Sequence, residues 1–252
     1  MVDCVRIRIG IGRQAEAGLP AALDSGTFER DDVNTWRGRL GNLGIRRNPG
    51  GLTIRGSLAK FLKGQNAIPL IREGVREAVG KLEDALGLDL SEARVQSVEF
   101  GTTAVLKKCP HEYMRLFGDV PRMGKWVHSV GGQIETVLYN TATGAFQFCA
   151  YDKGREMTAK GQSMPELFDQ CNVMRLEWRM VRRRGILRRL GRELTAHDLY
   201  EYGTYRKLQA MFLEAYKAIP KMGREVFADL SKGITPKRWE ELQAEAFRQK
   251  HH

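Results

Sequence analysis

The chain has 252 residues, 42% of them hydrophobic and 28% charged, with a formal net charge of +11. That length allows one large core or a core with an appendage. With no run of eighteen apolar residues, a spanning helix is excluded. The excess positive charge favours a polyanionic partner, nucleic acid ahead of an anionic membrane surface. Cys4, Cys109, Cys149 and Cys171 lack metal-knuckle spacing and read as reduced, buried thiols. The N-terminus shows no charged segment followed by an apolar one, so no secretory signal is expected and the expected location is a cytoplasm.

Val2–Ile9 sets Val5, Ile7 and Ile9 against Arg6 and Arg8, a half-buried strand with a basic outer face. Residues 10–41 are polar and carry glycine, and their pattern assigns no element. Asn42–Arg47 and Leu52–Ser57 flank Asn48-Pro49-Gly50-Gly51, a turn sequence, and predict a hairpin with Arg55 on its polar side. Gly56–Asn66 reads as a connection ending in a glycine loop, with Lys60 and Lys63 available to phosphates. Ile68–Leu86 has the period of a helix that lays one face on a sheet and ends at Gly87. Ala93–Leu106 predicts a strand with Val98, Phe100, Thr102, Ala104 and Leu106 inward and Glu99 on the other row. A short helix over Pro110–Phe117 and a strand over Arg122–Val130, containing Lys125 and His128, follow.

Ile134–Asn140 and Ala145–Asp152 flank Thr141–Gly144 and predict the central hairpin. Phe146, Phe148 and Ala150 point one way there; Gln147, Cys149 and Tyr151 point the other. Met164–Asp169 reads as helical and leads into the strand Asn172–Val181. That strand sets Met174, Leu176, Trp178 and Met180 on one row and Arg175, Glu177 and Arg179 on the other. Arg179–Arg192 then holds seven arginines. Thr195–Asp198 resembles a helix cap, with helices continuing through Tyr216, and a last helix starts near Thr235-Pro236. The expected fold is α+β: a mainly antiparallel sheet with helices on one face, plus a helical C-terminal region. The expected boundary lies near residue 185, dividing a sheet-rich unit, 1–185, from a basic helical one, 186–252.

Three strands thus put a carboxylate, a phenol and an Arg-Glu-Arg comb on their non-core faces. A solvated sheet face accounts for any one of these. A phenol is a poor nucleophile at neutral pH unless a base or positive charge aids its deprotonation, and Lys153, Arg155, Arg175 or a metal ion are available to Tyr151. Attack of Tyr151 on a DNA phosphodiester would store the bond energy as a phosphotyrosine. A hard ion, Mg²⁺ or Mn²⁺, would polarise the phosphate and would want oxygen ligands, for which Glu99, Glu156 and Glu177 are candidates. No His-x-His pair is present, so His128 is the one histidine considered beside them. Tyr139, on the partner strand, is the alternative nucleophile. Arg175 and Arg179 would clamp phosphate. Arg182, Arg183, Arg184, Arg188 and Arg189, with Arg55, Lys60 and Lys63, would hold the flanking backbone.

The phrases Gly56–Lys60, Ser97–Gly101, Ala150–Lys153 with Glu156, and Met174–Arg179 occur in this order. Together they resemble the replication initiators of filamentous phages and related plasmids, the phage gene II/gene X family, over roughly Ile45 to Tyr216. The resemblance implies nicking of one strand of the double-stranded replicative form at an origin, covalent attachment through a tyrosine, and later rejoining of the displaced single strand. It puts the tyrosine at Tyr151, the mid-chain acid at Glu99 and the comb at Arg175, Glu177 and Arg179. It also implies a bacterial host cytoplasm, and leaves open whether the helical tail reads DNA or recruits a host helicase. The alternative class is a non-catalytic nucleic-acid-binding replication regulator that uses the same surface.

Overall fold

The computed structural model describes residues 2–10, 29–32 and 34–223; the helix expected from Thr235-Pro236 lies outside them. Among the described residues ten strands run along the chain: β1 Val2–Ile9, β2 Glu29–Asp32, β3 Thr35–Leu40, β4 Leu43–Asn48, β5 Gly51–Ser57, β6 Arg94–Leu106, β7 Met123–Val130, β8 Gln133–Thr141, β9 Phe146–Asp152 and β10 Asn172–Met180. They form one sheet in the order β2-β3-β4-β5-β1-β6-β10-β9-β8-β7. Every pairing is antiparallel. The helices of the described residues are α1 Leu58–Lys63, α2 Arg72–Leu86, α3 Pro110–Met114, α4 Lys153–Ala159, α5 Arg183–Leu190 and α6 Tyr202–Ala218. The fold is α+β, as the alternation of apolar rows and helical periods led us to expect.

The central strands are held by matched apolar rows. Phe148 pairs with Trp178, which pairs with Phe100. Phe146 stacks on Trp178 and Phe148 on Phe212 of α6, with ring centroids 5.8 and 6.0 Å apart. Val75, Val79 and Leu82 of α2 and Leu208, Phe212 and Tyr216 of α6 bury their apolar stripes in the same cluster. Described residues beyond 185 therefore share the sheet's core, and the boundary expected there does not separate two cores.

Local chemistry corrects several expectations. The connection expected over Gly56–Asn66 contains the helix α1 before its glycine end. Ser57 caps it by accepting the Lys60 N–H, and Gly64 ends it at φ 75°, a left-handed conformation that suits glycine. The charged run after Tyr151 is α4, capped by Asp152. Met164–Asp169 holds only a three-residue 3-10 turn, Glu166–Phe168. The unassigned stretch 10–41 contributes β2 and β3.

The second face of the sheet is not uniformly open. Val173 of β10 packs with Met157 of α4, Phe168, Ala67 and Ile68 in a small separate core. This patch roofs one end of the second face and leaves the remainder as a groove.

Candidate functional site

β10 supplies the middle of the site. Arg175, Glu177 and Arg179 share one row, opposite Tyr151, Cys149 and Gln147 of β9 and opposite Thr103, Gly101 and Glu99 of β6. Gly101 is required where it stands: a Cβ there would lie 1.9 Å from the Leu176 carbonyl oxygen. β1 adds Asp3 and Cys4 together, because its register with β6 shifts between Val2 and Val5. Such a bulge turns two successive side chains away from the core that Val2 and Val5 both enter.

The polar groups form one connected chain. Tyr151 Oη donates to Glu177 Oε1 over 3.0 Å. Arg175 Nε donates to the same oxygen at 3.1 Å, its Nη1 to Thr103 Oγ1 at 3.1 Å and its Nη2 to Asp3 Oδ2 at 3.1 Å. Arg179 Nη2 donates to Glu177 Oε2 at 2.6 Å, and its Nε lies 3.6 Å from Glu99 Oε2. Asp3 also accepts from Asn66 Nδ2 at 3.0 Å and from the Ser57 hydroxyl. Lys153 Nζ closes the network on Asn66 Oδ1 at 3.0 Å and Glu156 Oε2 at 2.7 Å.

Electrostatics divides these groups. Arg175 has no exposed side chain and Glu177 about 3%, so each desolvated charge is offset by the other and by a second partner. Burial opposes ionisation of Glu177, but the Arg175 and Arg179 guanidinium groups outweigh it and hold the carboxyl below the usual range. Burial, reinforced by the Glu177 charge, pushes the Tyr151 phenol well above its ordinary value, with Arg175 opposing. Glu99 behaves oppositely to Glu177: burial raises it to about 7 despite Arg179. Burial also lifts the Cys4 and Cys149 thiols to about 12, so neither is a thiolate at neutral pH.

Above this network lies a solvent-open groove of about 890 Å³. Tyr151, Glu99, Glu177, Arg179, Lys60 and Glu156 line it. Arg175, expected to clamp phosphate, and Lys153, expected to aid deprotonation of Tyr151, are both fully buried. Arg175 holds other side chains of the network instead, and Lys153 Nζ lies over the Tyr151 ring, 5.9 Å from its centroid. Tyr139 lies on the core row, buried, with its hydroxyl donating to the Gly118 carbonyl at 2.7 Å, and does not reach the groove. The expected backbone contacts also divide. Arg183 is paired with Glu193 at 2.7 Å, while Arg188 and Arg189 lie over the core-row Phe146 ring. None of Arg182, Arg183, Arg184, Arg188, Arg189 or Lys63 lines the groove. Arg55 lines a neighbouring groove.

The acids expected to hold Mg²⁺ or Mn²⁺ do not converge. Both oxygens of Glu177 are taken by Tyr151 and the two guanidinium groups, and Glu156 is held by Lys153 and Lys160. Cationic side chains thus occupy the positions an ion would need, and the donor set does not fit one. His128 stacks on Trp126 at 5.7 Å. Among the described residues, Glu83, Asp89 and His197 do bring ligand atoms within 4.8 Å of one another, at the packed junction of α2 and the 3-10 turn His197–Tyr200. Glu83 there already accepts from His197 and from the Leu90 N–H, at 2.8 Å each.

Sequence reasoning passed over Asp3, Asn66 and Trp126. Trp126 of β7 is 55% exposed and lines the groove, on the transverse row that runs through Leu138 and Cys149 to Glu177. A tryptophan on an edge strand with polar neighbours was the available signal.

Residues 39–210 match the family model that describes the N-terminal part of the phage replication-associated protein of the gene II type. No curated protein sequence matches the chain. Among solved structures it is similar to the rolling circle replication initiator protein from Geobacillus stearothermophilus. That likeness has 10% identity over 97% of this chain and 95% of that one, with a TM-score of 0.43, too loose to bear on the site.

Proposed function

The chain belongs to the family of phage replication-associated proteins of the gene II type, and from that premise we propose that it starts rolling-circle replication by nicking one DNA strand at an origin through Tyr151. The observation that carries this reading is the Tyr151 hydroxyl, hydrogen-bonded to Glu177 at the wall of an open groove that also presents Glu99 and Arg179.

In this reading the Tyr151 oxygen attacks the scissile phosphorus and its proton passes to Glu177 Oε1, already at hydrogen-bond distance. The bond from phosphorus to the 3′ oxygen breaks, leaving a 5′-phosphotyrosine and a 3′-hydroxyl. Glu99, raised to about 7, is protonated in part near neutral pH and supplies the proton the departing oxygen needs. Rejoining is the reverse: a 3′-hydroxyl attacks the phosphotyrosine and releases the phenol. Arg179 balances charge on the phosphoryl oxygens, because its Nη1 is not engaged by its bonds to Glu177. Arg175 acts through Glu177 and Asp3 as a positioning residue. Trp126, across the groove, offers a stacking surface to an unpaired base next to the phosphate. No step is routed through Mg²⁺ or Mn²⁺, for which the groove offers no converging oxygens.

The test incubates the protein with a supercoiled plasmid carrying its replicon's origin, with Mg²⁺, with Mn²⁺ and with chelator. Wild type is expected to give open circles with protein attached to the 5′ end. Tyr151→Phe is expected to bind the same plasmid and give neither. A fully active phenylalanine variant would move the nucleophile elsewhere. Intact supercoil with retained binding by wild type would favour the regulator.

A further inference from the structure

A second groove, of about 660 Å³, opens on the same side of the sheet as Glu99, over β1, β5, β4 and β3. Two transverse rows build it. Arg6 pairs with Arg55, Arg55 with Gly44, and Gly44 with Arg39. Two residues along, Arg8 pairs with Thr53, Thr53 with Arg46, and Arg46 with Arg37. Gly44 keeps the floor of the first row open between two arginines. No carboxylate and no aromatic ring is among the described residues that line it. Arg39 lines both this groove and the one beside Tyr151, so the two adjoin at its side chain.

We propose that this arginine groove seats the double-stranded DNA flanking the nicking site, gripping it by its phosphates. The proposal rests on the reading that the chain acts on DNA. Guanidinium forks match phosphate oxygens two at a time, and a lining rich in them and lacking acids sets a positive field along the groove. A row of four strands spans about 14 Å, the axial length of about four base pairs. A single strand would call for aromatic platforms for its bases, and this groove has none. The nicking groove presents the exposed ring of Trp126. The open face therefore divides its labour: backbone grip for a duplex on the β3–β4–β5–β1 side, an unpaired strand on the β7–β8–β9 side.

The test uses the full chain in a Tyr151→Phe background, without divalent ions, so that binding is read independently of nicking. Duplex and single-stranded oligonucleotides of one sequence are titrated by fluorescence anisotropy over a range of salt. The double variant Arg8→Gln/Arg46→Gln is expected to lower the slope of log K against log salt for duplex by about two and to leave the single strand unchanged. Arg8→Lys/Arg46→Lys is expected to keep most of the slope, since the charge remains. An unchanged duplex slope in the glutamine variant would overturn the proposal. So would an equal loss for single strand. None of these outcomes bears on Tyr151, whose role stands or falls with the nicking assay.

Discussion

Arg175 lies beneath the groove with its guanidinium shared among Asp3, Glu177 and Thr103. Replacing it with methionine keeps much of the volume but strands two buried carboxylates, a change that costs about 3–5 kcal/mol. Thermal unfolding of Arg175→Met is expected to begin well below that of wild type, and nicking to fall with it because Glu177 loses its anchor. Glu99 gives the opposite sign. Its folded carboxyl is raised to about 7 from an ordinary 4.5, mainly by burial. Between those values the folded state holds more protons than the unfolded chain, so stability declines as pH rises through that window and is flat above it. Glu99→Gln removes this penalty. Its melting temperature is expected to exceed wild type by a few degrees at pH 8 and to converge with it near pH 4, while nicking at neutral pH drops. A melting difference that does not vary with pH would show that Glu99 is not held protonated by its surroundings.

β7 is an edge strand whose large residues are not buried: Trp126, Val127 and Val130 are all exposed. Trp126 stacks with His128 over the groove side of the row that reaches Glu177. Trp126→Ala is expected to weaken binding of a short single-stranded oligonucleotide by about 1–3 kcal/mol, and to leave duplex binding through the arginine groove intact, both read by anisotropy. How much of this was legible in the sequence depends on the element. The parity of β6, β9 and β10 was plain, since each has one apolar row and a period of two leaves Glu99, Tyr151 and the Arg-Glu-Arg comb on the other. Three things were not. The bulge in β1 brings Asp3 and Cys4 into the groove together, and no alternation pattern reveals a register shift. Arg175 and Lys153 looked like surface cations, yet Met157, Phe168 and Val173 roof their end of the face, a non-local packing event. The arginines of β3 sat in a polar stretch without a readable period, so the dense run at 179–192 drew the phosphate contacts, although of that run only Arg179 lines either groove.

At the scale of the molecule the sheet has two unlike faces, and the helices after β10 decide whether it can exist as a sheet at all. Phe212 lies against Phe148, while Ile186, Leu199, Leu208 and Tyr216 belong to the same buried cluster as Phe100, Leu176 and Trp178. Thr195 bridges back to Arg94 at the start of β6, and Val95 N–H donates to Leu194 at 2.7 Å. Ending the chain at residue 185 would therefore uncover the apolar rows of β9, β10 and part of β6 at once. An exposed apolar face of that kind promotes association and leaves no close-packed core on one side of the strands. The truncated 1–185 chain is expected to lose the single cooperative unfolding transition of the full chain, to bind a hydrophobic dye and to aggregate. The sharper reading is on the groove side. Tyr151, Glu177 and Arg179 belong to strands whose other rows carry Phe148, Leu176 and Trp178, so both faces fail together and specific DNA binding should vanish with the transition. A 1–185 chain that stayed monomeric, unfolded cooperatively and still nicked DNA would mean that the helices cover the sheet without supporting it.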